Sequence, residues 1–198
     1  MQQRAEKTRL AIAHAARRHF ARHGFAGSTV DAIAAEAKVN KQRIYAYFGS
    51  KRKLFEQTLL DLFAESEAEF DRFAEALQPE AGELTTHLWR YFIELHRRKP
   101  ELQRLLSWAN LENAIDPAAL AAVRAHENNR LRDWFAQEVT VGRIRSDIAF
   151  ESWLLTVMSV AYFCNANFWT LSRTLGESWL DAAGLTRLGA DLEALFTA

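Results

Sequence analysis

The chain of 198 residues has one cysteine, three prolines and eight glycines, and its 25 Lys and Arg are cancelled by 25 Asp and Glu. A single cysteine excludes a disulfide framework within the chain and fits a reducing compartment. Cys164 stands in an apolar run and reads as a small buried hydrophobe rather than a sensor thiol. The glycines do not gather into a phosphate loop, and no nucleophile with a partnering base is visible, so an enzyme and a cofactor are not expected. His19 and His23 are four apart, a spacing that can clamp a metal, but no third ligand accompanies them and no metal site is expected. Arg4, Glu6, Lys7 and Arg9 charge the first ten residues, which is not the pattern of a signal peptide. A cytoplasmic protein is expected. No stretch alternates with period two between hairpin turns, and no repeat or low-complexity tract interrupts the chain.

What is present is helical punctuation and an uneven spread of charge. Pro79, Pro100 and Pro117 each stand where a helix would begin, because a first-turn residue needs no N–H donor. Gly142, Gly176 and Gly184 mark further breaks. Helical segments are expected over residues 4–23, 50–76, 80–98, 100–114, 117–141, 147–172 and 185–197, beside two short ones between 28 and 49. The fold class is all-α with about nine helices. Residues 1–56 carry twelve basic and four acidic side chains, and the remainder carries thirteen and twenty-one. A basic head on an acidic body confines the attraction for nucleic acid to one part of the molecule.

The stretch from Ser28 to Phe55 organises the head. Ser28 or Thr29 can cap a helix whose first turn holds Asp31 and whose inner face is Val30, Ile33, Ala34 and Ala37. Lys38 and Val39 make a turn. Asn40 then caps a second short helix in which Ile44 and Phe48 point inward, leaving Lys41, Gln42, Arg43, Ala46 and Tyr47 outside and Tyr45 at the boundary. A basic, amide and phenolic face on a short helix suits the major groove, where Arg and Gln reach base edges and Tyr reaches phosphate. Ser50 caps the next helix, yet Lys51, Arg52 and Lys53 fill its first turn, where the dipole disfavours cations. Two readings follow: an anion site for DNA phosphate, or a solvated basic face.

Residues from about Arg9 to Phe55, with His23-Gly24-Phe25, then STVDAIA, then KVNKQRIYAYFGSKRKLF, resemble the DNA-binding domain of the TetR family of transcriptional regulators. The resemblance implies an N-terminal three-helix helix-turn-helix domain over 1–49 and a C-terminal helical ligand-binding and dimerisation domain over 50–198. It implies a homodimer on a double-stranded, palindromic operator, usually a repressor released by a small-molecule effector. Carried onto this sequence, Thr29 would contact phosphate, Lys41, Gln42, Arg43 and Tyr45 would meet bases and phosphates, and Tyr47 and Lys51 would hold the backbone. Gln42 stands where the family often has Gly and Arg43 where it often has a small polar residue, so no operator sequence carries over.

In the remainder, residues 152–172 hold no charge, a run of 21 that raises a membrane span as an alternative. Ser152, Thr156, Ser159, Asn165, Asn167 and Thr170 punctuate it, so a helix buried on both sides is expected instead. Leu185, Leu188, Leu192, Leu195 and Phe196 form a stripe that either packs within the monomer or builds a dimer seam, the use that the resemblance implies for the last helices. All six tryptophans lie beyond the head, among interrupting polar residues. An aromatic pocket is expected from Trp108, Glu112 and Asn113 with Tyr162, Asn165, Phe168 and Trp169, for an effector partly aromatic or apolar. Against a ligand-released repressor stands a ligand-independent regulator or activator that works through a protein partner.

Overall fold

The computed structural model describes residues 2–77 and 83–198, so the expectations resting on Pro79 and on a start at Glu80 lie outside the described residues. Ten α-helices and no strand are found among those described: α1 (Gln2–Gly27), α2 (Val30–Glu36), α3 (Lys41–Phe48), α4 (Lys51–Ala76), α5 (Leu84–Arg98), α6 (Pro100–Glu112), α7 (Pro117–Thr140), α8 (Phe150–Ala166), α9 (Phe168–Leu175) and α10 (Ala182–Phe196). A 3-10 turn, Glu177–Trp179, precedes α10. Pro100 and Pro117 open their helices as expected. Gly184 is no break; it lies in the first turn of α10, where its N–H bonds the Asp181 cap. The chain forms two compact units, one ending at Ser66 and including Pro100–Arg124, the other comprising Glu67–Lys99 and Ala125–Ala198. Helices α4 and α7 contribute residues to both.

In the first unit, Ile12, Ala15, Ala16 and Phe20 of α1 are buried with Ile33, Ile44, Leu54, Phe55 and Leu59. Leu10, which the periodicity directs inward, is 45% exposed, because the buried stripe runs one step round the helix through Ile12. Phe20 and Phe25 both meet Phe55 edge to face, with centroids 5.0 and 5.6 Å away. Full burial of one such ring contributes about 1.5–3 kcal/mol. Gly24 ends the helical path of α1 at φ 70, ψ −176, a conformation open to glycine, and a Cβ there would lie 2.7 Å from Trp108 of α6. Helix α6 thus closes on the end of α1, with Leu102, Leu105 and Ala109 buried.

The second unit is built on α5, which buries nine residues, from Leu84 to His96. Helix α8 packs along it through Trp153, whose Nε1 donates to the Thr85 hydroxyl at 3.0 Å while its ring meets Phe135 and Phe150. Helix α10 packs along it too: Trp89 Nε1 donates to the Leu185 carbonyl at 3.0 Å, and Gly189 has no side chain because a Cβ would lie 2.6 Å from the Trp89 ring. The Glu193 carboxylate accepts from Thr86 N at 2.8 Å. Beyond α7, Arg143 pairs twice with the buried Glu138 carboxylate, at 2.6 and 2.7 Å, and Ile144 bridges Thr197. This ties the end of α10 to the turn before α8.

The uncharged run is two helices rather than one. Asn167 leaves helical geometry at φ −114, ψ 21, its side chain donates to the Phe163 carbonyl at 3.2 Å, and α8 and α9 are bent by 93°. No single helix among the described residues is long and apolar enough to cross a membrane. Helix α8 is also not buried all round: Phe150, Trp153, Val157, Ala161 and Cys164 are, while Leu155 is 67% exposed and Phe163 is exposed. Burial pushes the Cys164 thiol up, away from the reactive thiolate. The stripe on α10 divides similarly, with Leu185, Leu192 and Phe196 packed within the unit and Leu195 60% exposed.

Two stability measurements follow from this packing. Thr85→Val keeps the shape but leaves the buried Trp153 N–H without an acceptor, and chemical denaturation should show a loss of about 1–3 kcal/mol. Burial raises the Glu193 carboxyl above its ordinary range, with the Thr86 N–H pulling the other way. The folded state therefore binds the proton more tightly than the unfolded one, so stability is highest below the ordinary carboxylate range and falls as pH rises through the raised value. Glu193→Gln retains the acceptor and should flatten that slope in denaturation curves collected from about pH 4 to pH 8.

Candidate nucleic-acid interface

The helix-turn-helix is assembled by short-range hydrogen bonds that the residue types dictate. The Thr29 hydroxyl oxygen accepts from Ala32 N at 3.1 Å and caps α2, while the buried Ser28 hydroxyl instead donates to the Gly24 carbonyl at 2.7 Å. Lys38 takes a positive φ of 56 in the turn. Asn40 Oδ1 accepts from Arg43 N at 2.9 Å and caps α3. Ile44 is fully buried and Phe48 half-buried, so Lys41, Gln42, Arg43, Tyr45, Ala46 and Tyr47 all face solvent. Tyr45 is more exposed than its expected place between the inward and outward faces suggests.

Electrostatics divide these residues. Lys41 Nζ bonds Asp31 Oδ2 at 2.9 Å, and that carboxylate raises the ammonium's pKa. A neighbouring pair, Arg18 and Glu36, also engages His19, whose Nε2 lies 2.7 Å from Glu36, and the Arg18 hydrogen bond holds the Glu36 carboxyl below its ordinary value. The acidic side chains of α2 thus already hold cations beside the recognition helix. Sequence spacing does not reveal the Lys41–Asp31 pair, which spans the turn.

The basic triplet at the start of α4 is split in three directions. Ser50 caps the helix by accepting from Lys53 N at 3.1 Å. Lys51 sits over the Phe25 ring, 4.5 Å from its centroid, with Nζ 3.5 Å from the Ala26 carbonyl. Arg52 donates to the Asn113 carbonyl at 3.0 Å. Lys53 is exposed. Cation–π and carbonyl contacts offset part of the cost of placing cations in a first helical turn.

The residues expected to line a pocket fall into two groups in different units. In the first unit, Trp108 packs on Gly24, Glu112 Oε2 accepts from Ala26 N at 2.9 Å, and Asn113, at φ 48, presents its carbonyl to Arg52. In the second, Tyr162 is half-buried edge-on to His96, with centroids 5.7 Å apart, and Asn165 Nδ2 turns back to the Ala161 carbonyl. Phe168 is exposed and Trp169 is 77% exposed. Amide side chains that bond their own helix carry no signal in sequence that separates them from ligand-binding ones.

The comparisons with known proteins match this arrangement. Residues 12–58 match the model of bacterial regulatory proteins of the tetR family, and residues 83–192 match the tetracyclin repressor-like C-terminal domain. The chain is 32% identical over 185 residues to the HTH-type transcriptional repressor NicS of Pseudomonas putida, covering 90% of this chain and 85% of that one. It is 40% identical over 111 residues to the HTH-type transcriptional repressor SCO4008 of Streptomyces coelicolor, covering 54% and 52%. Among solved structures, SCO4942 of Streptomyces coelicolor aligns with a TM-score of 0.70 at 27% identity, covering 96% of this chain and 98% of that one.

The caps themselves are testable. Asn40→Ala removes the acceptor for Arg43 N and should cost about 1 kcal/mol. Amide exchange at the start of α3 should quicken while α5 amides in the other unit remain protected.

Proposed function

Because the chain belongs to the TetR family of bacterial regulatory proteins, we propose that it is a homodimeric repressor held on a palindromic operator and released by a small-molecule ligand. It is a DNA-binding transcriptional regulator and not an enzyme. The observation that carries the DNA reading is the solvent-facing side of α3, oriented from beneath by Ile44 and capped by Asn40. On that face Gln42 and Arg43 read base edges, with Lys41 and Tyr45 beside them. Thr29, Tyr47 and Lys51 hold phosphates, and Lys41 exchanges Asp31 for a phosphate oxygen on binding.

Functionally, residues 1–49 are the DNA-binding head and 50–198 the ligand-binding and dimerising body. The exposed apolar residues Leu155 and Phe163 on α8 and Leu195 on α10 support a seam between two copies. A two-fold axis through that seam offers two heads to successive major grooves. Release needs two states of the dimer with different head spacing, and a ligand shifts them only by its differential affinity. Helix α4, with residues in both units, carries the shift, and the contacts of Glu112 and Asn113 with Ala26 and Arg52 give α6 a hold on the head. Acting on DNA, the protein works in the cytoplasm. The exposed Phe168 and Trp169 favour a second reading, in which a protein partner replaces the ligand.

Fluorescence anisotropy against DNA flanking the protein's own gene, beside a scrambled duplex over a salt series, tests the reading. Binding at least about a thousandfold tighter than to scrambled DNA, with a steep salt slope, is expected. Arg43→Ala should lose about 1–3 kcal/mol on the cognate duplex and relax specificity, whereas Lys51→Ala should weaken all duplexes alike. Equal losses on cognate and scrambled DNA for both variants would remove base reading from Arg43.

A further inference from the structure

The second unit holds a groove of about 380 Å³ between α4 and α5. Glu69, Arg72, Phe73 and Ala76 are spaced along one face of α4, and His87, Arg90, Tyr91, Glu94 and Arg98 along one face of α5, so two helical faces confront each other. Its volume is at the lower end of small-molecule sites, which run from about 300 to 1,000 Å³. None of the aromatic and amide residues expected from sequence lines it.

Its chemistry has two parts. Phe73 and Tyr91 stack at 4.7 Å with an interplanar angle of 26°, and Trp134 meets Phe73 edge-on at 6.2 Å. Tyr91 is buried, so the half-buried Phe73 ring, backed by it, supplies the apolar wall. Across it stand the guanidiniums of Arg72 and Arg90, both exposed and neither engaged in an ion pair among the described residues. Glu69 does not neutralise them, because Lys99 at 3.0 Å and Arg98 at 3.3 Å already hold its carboxylate. Among the described lining residues Glu94 is the one other carboxylate, and with both Lys99 and Arg98 on Glu69 the groove is net positive. A guanidinium presents paired N–H donors that match a carboxylate.

From this pairing of an aromatic wall with uncommitted guanidiniums, we infer that the groove binds a small organic carboxylate whose flat or apolar body lies against Phe73 while Arg72 and Arg90 take its charge. The inference gives a chemical class to the ligand of the function proposed above and rests on that reading for its regulatory meaning.

The test is isothermal titration calorimetry of the full chain with acids and their neutral isosteres: benzoate and benzamide, phenylacetate and phenylacetamide, hexanoate and hexanamide. At least one acid should bind about tenfold or more tightly than its amide, as a charge-assisted contact requires. Arg72→Gln with Arg90→Gln should abolish that preference, and since both side chains are exposed and unpaired the circular dichroism spectrum should be unchanged. Phe73→Leu should weaken acid and amide alike. If no acid surpasses its amide, or the preference survives in the double variant, the anion site is wrong, and specific DNA binding by the unliganded protein would still stand. If an acid binds through the arginines yet leaves operator affinity unchanged, the site is supported and release by that ligand class fails.

Discussion

The head depends on the corner at Gly24. Its positive φ turns the chain out of α1 where any side chain would strike Trp108, and everything that follows hangs on that turn. Phe25 reaches Phe55, the Ala26 N–H reaches Glu112, and Ser28 bonds back to the Gly24 carbonyl. Within six residues the chain is tied to α4, α6 and α1, and Thr29 is delivered to cap α2. The recognition helix lies one turn further on. A head whose reading face must be held accurately is thereby fixed at its root by packing and hydrogen bonds, with no need of a large core of its own.

The reading face is defined as much by what is already committed as by what is exposed. Lys41 is held by Asp31, Lys51 by the Phe25 ring, and Arg52 by the Asn113 carbonyl. Gln42 and Arg43 project from a capped helix with their side chains in solvent.

In the second unit the aromatic residues have three separate fates. Trp89 and Trp153 are buried and spend their indole N–H groups on holding α10 and α8 to α5. Phe73, backed by the buried Tyr91, walls an open groove, and Trp169 and Trp179 stand in solvent. Tryptophan spacing cannot distinguish these, since each fate asks for a large ring at helical intervals. Glu193 accepting from the Thr86 N–H fastens α10 to α5 as well, while the buried Glu138 with Arg143 closes the turn after α7.

What the sequence by itself determined is the local part: helices throughout, a cap at Ser28 or Thr29 that the structure gives to Thr29, the caps at Asn40 and Ser50, the turn at Lys38, and the inward pair Ile44 and Phe48. These rest on contacts three or four residues apart, which composition and spacing encode directly. What only the tertiary structure decided is which partner each side chain meets. Hydrophobicity says that Trp108 or Leu185 should leave water but not against what, and a stripe on α8 or α10 can face α5 or solvent with equal local cost. Asn167 breaks a run that periodicity joins: it leaves helical geometry while its backbone N–H and its side chain both donate to the Phe163 carbonyl. Arg72 and Arg90 read as ordinary surface charge, and only the packing of α4 beside α5 brings them to one groove with Phe73.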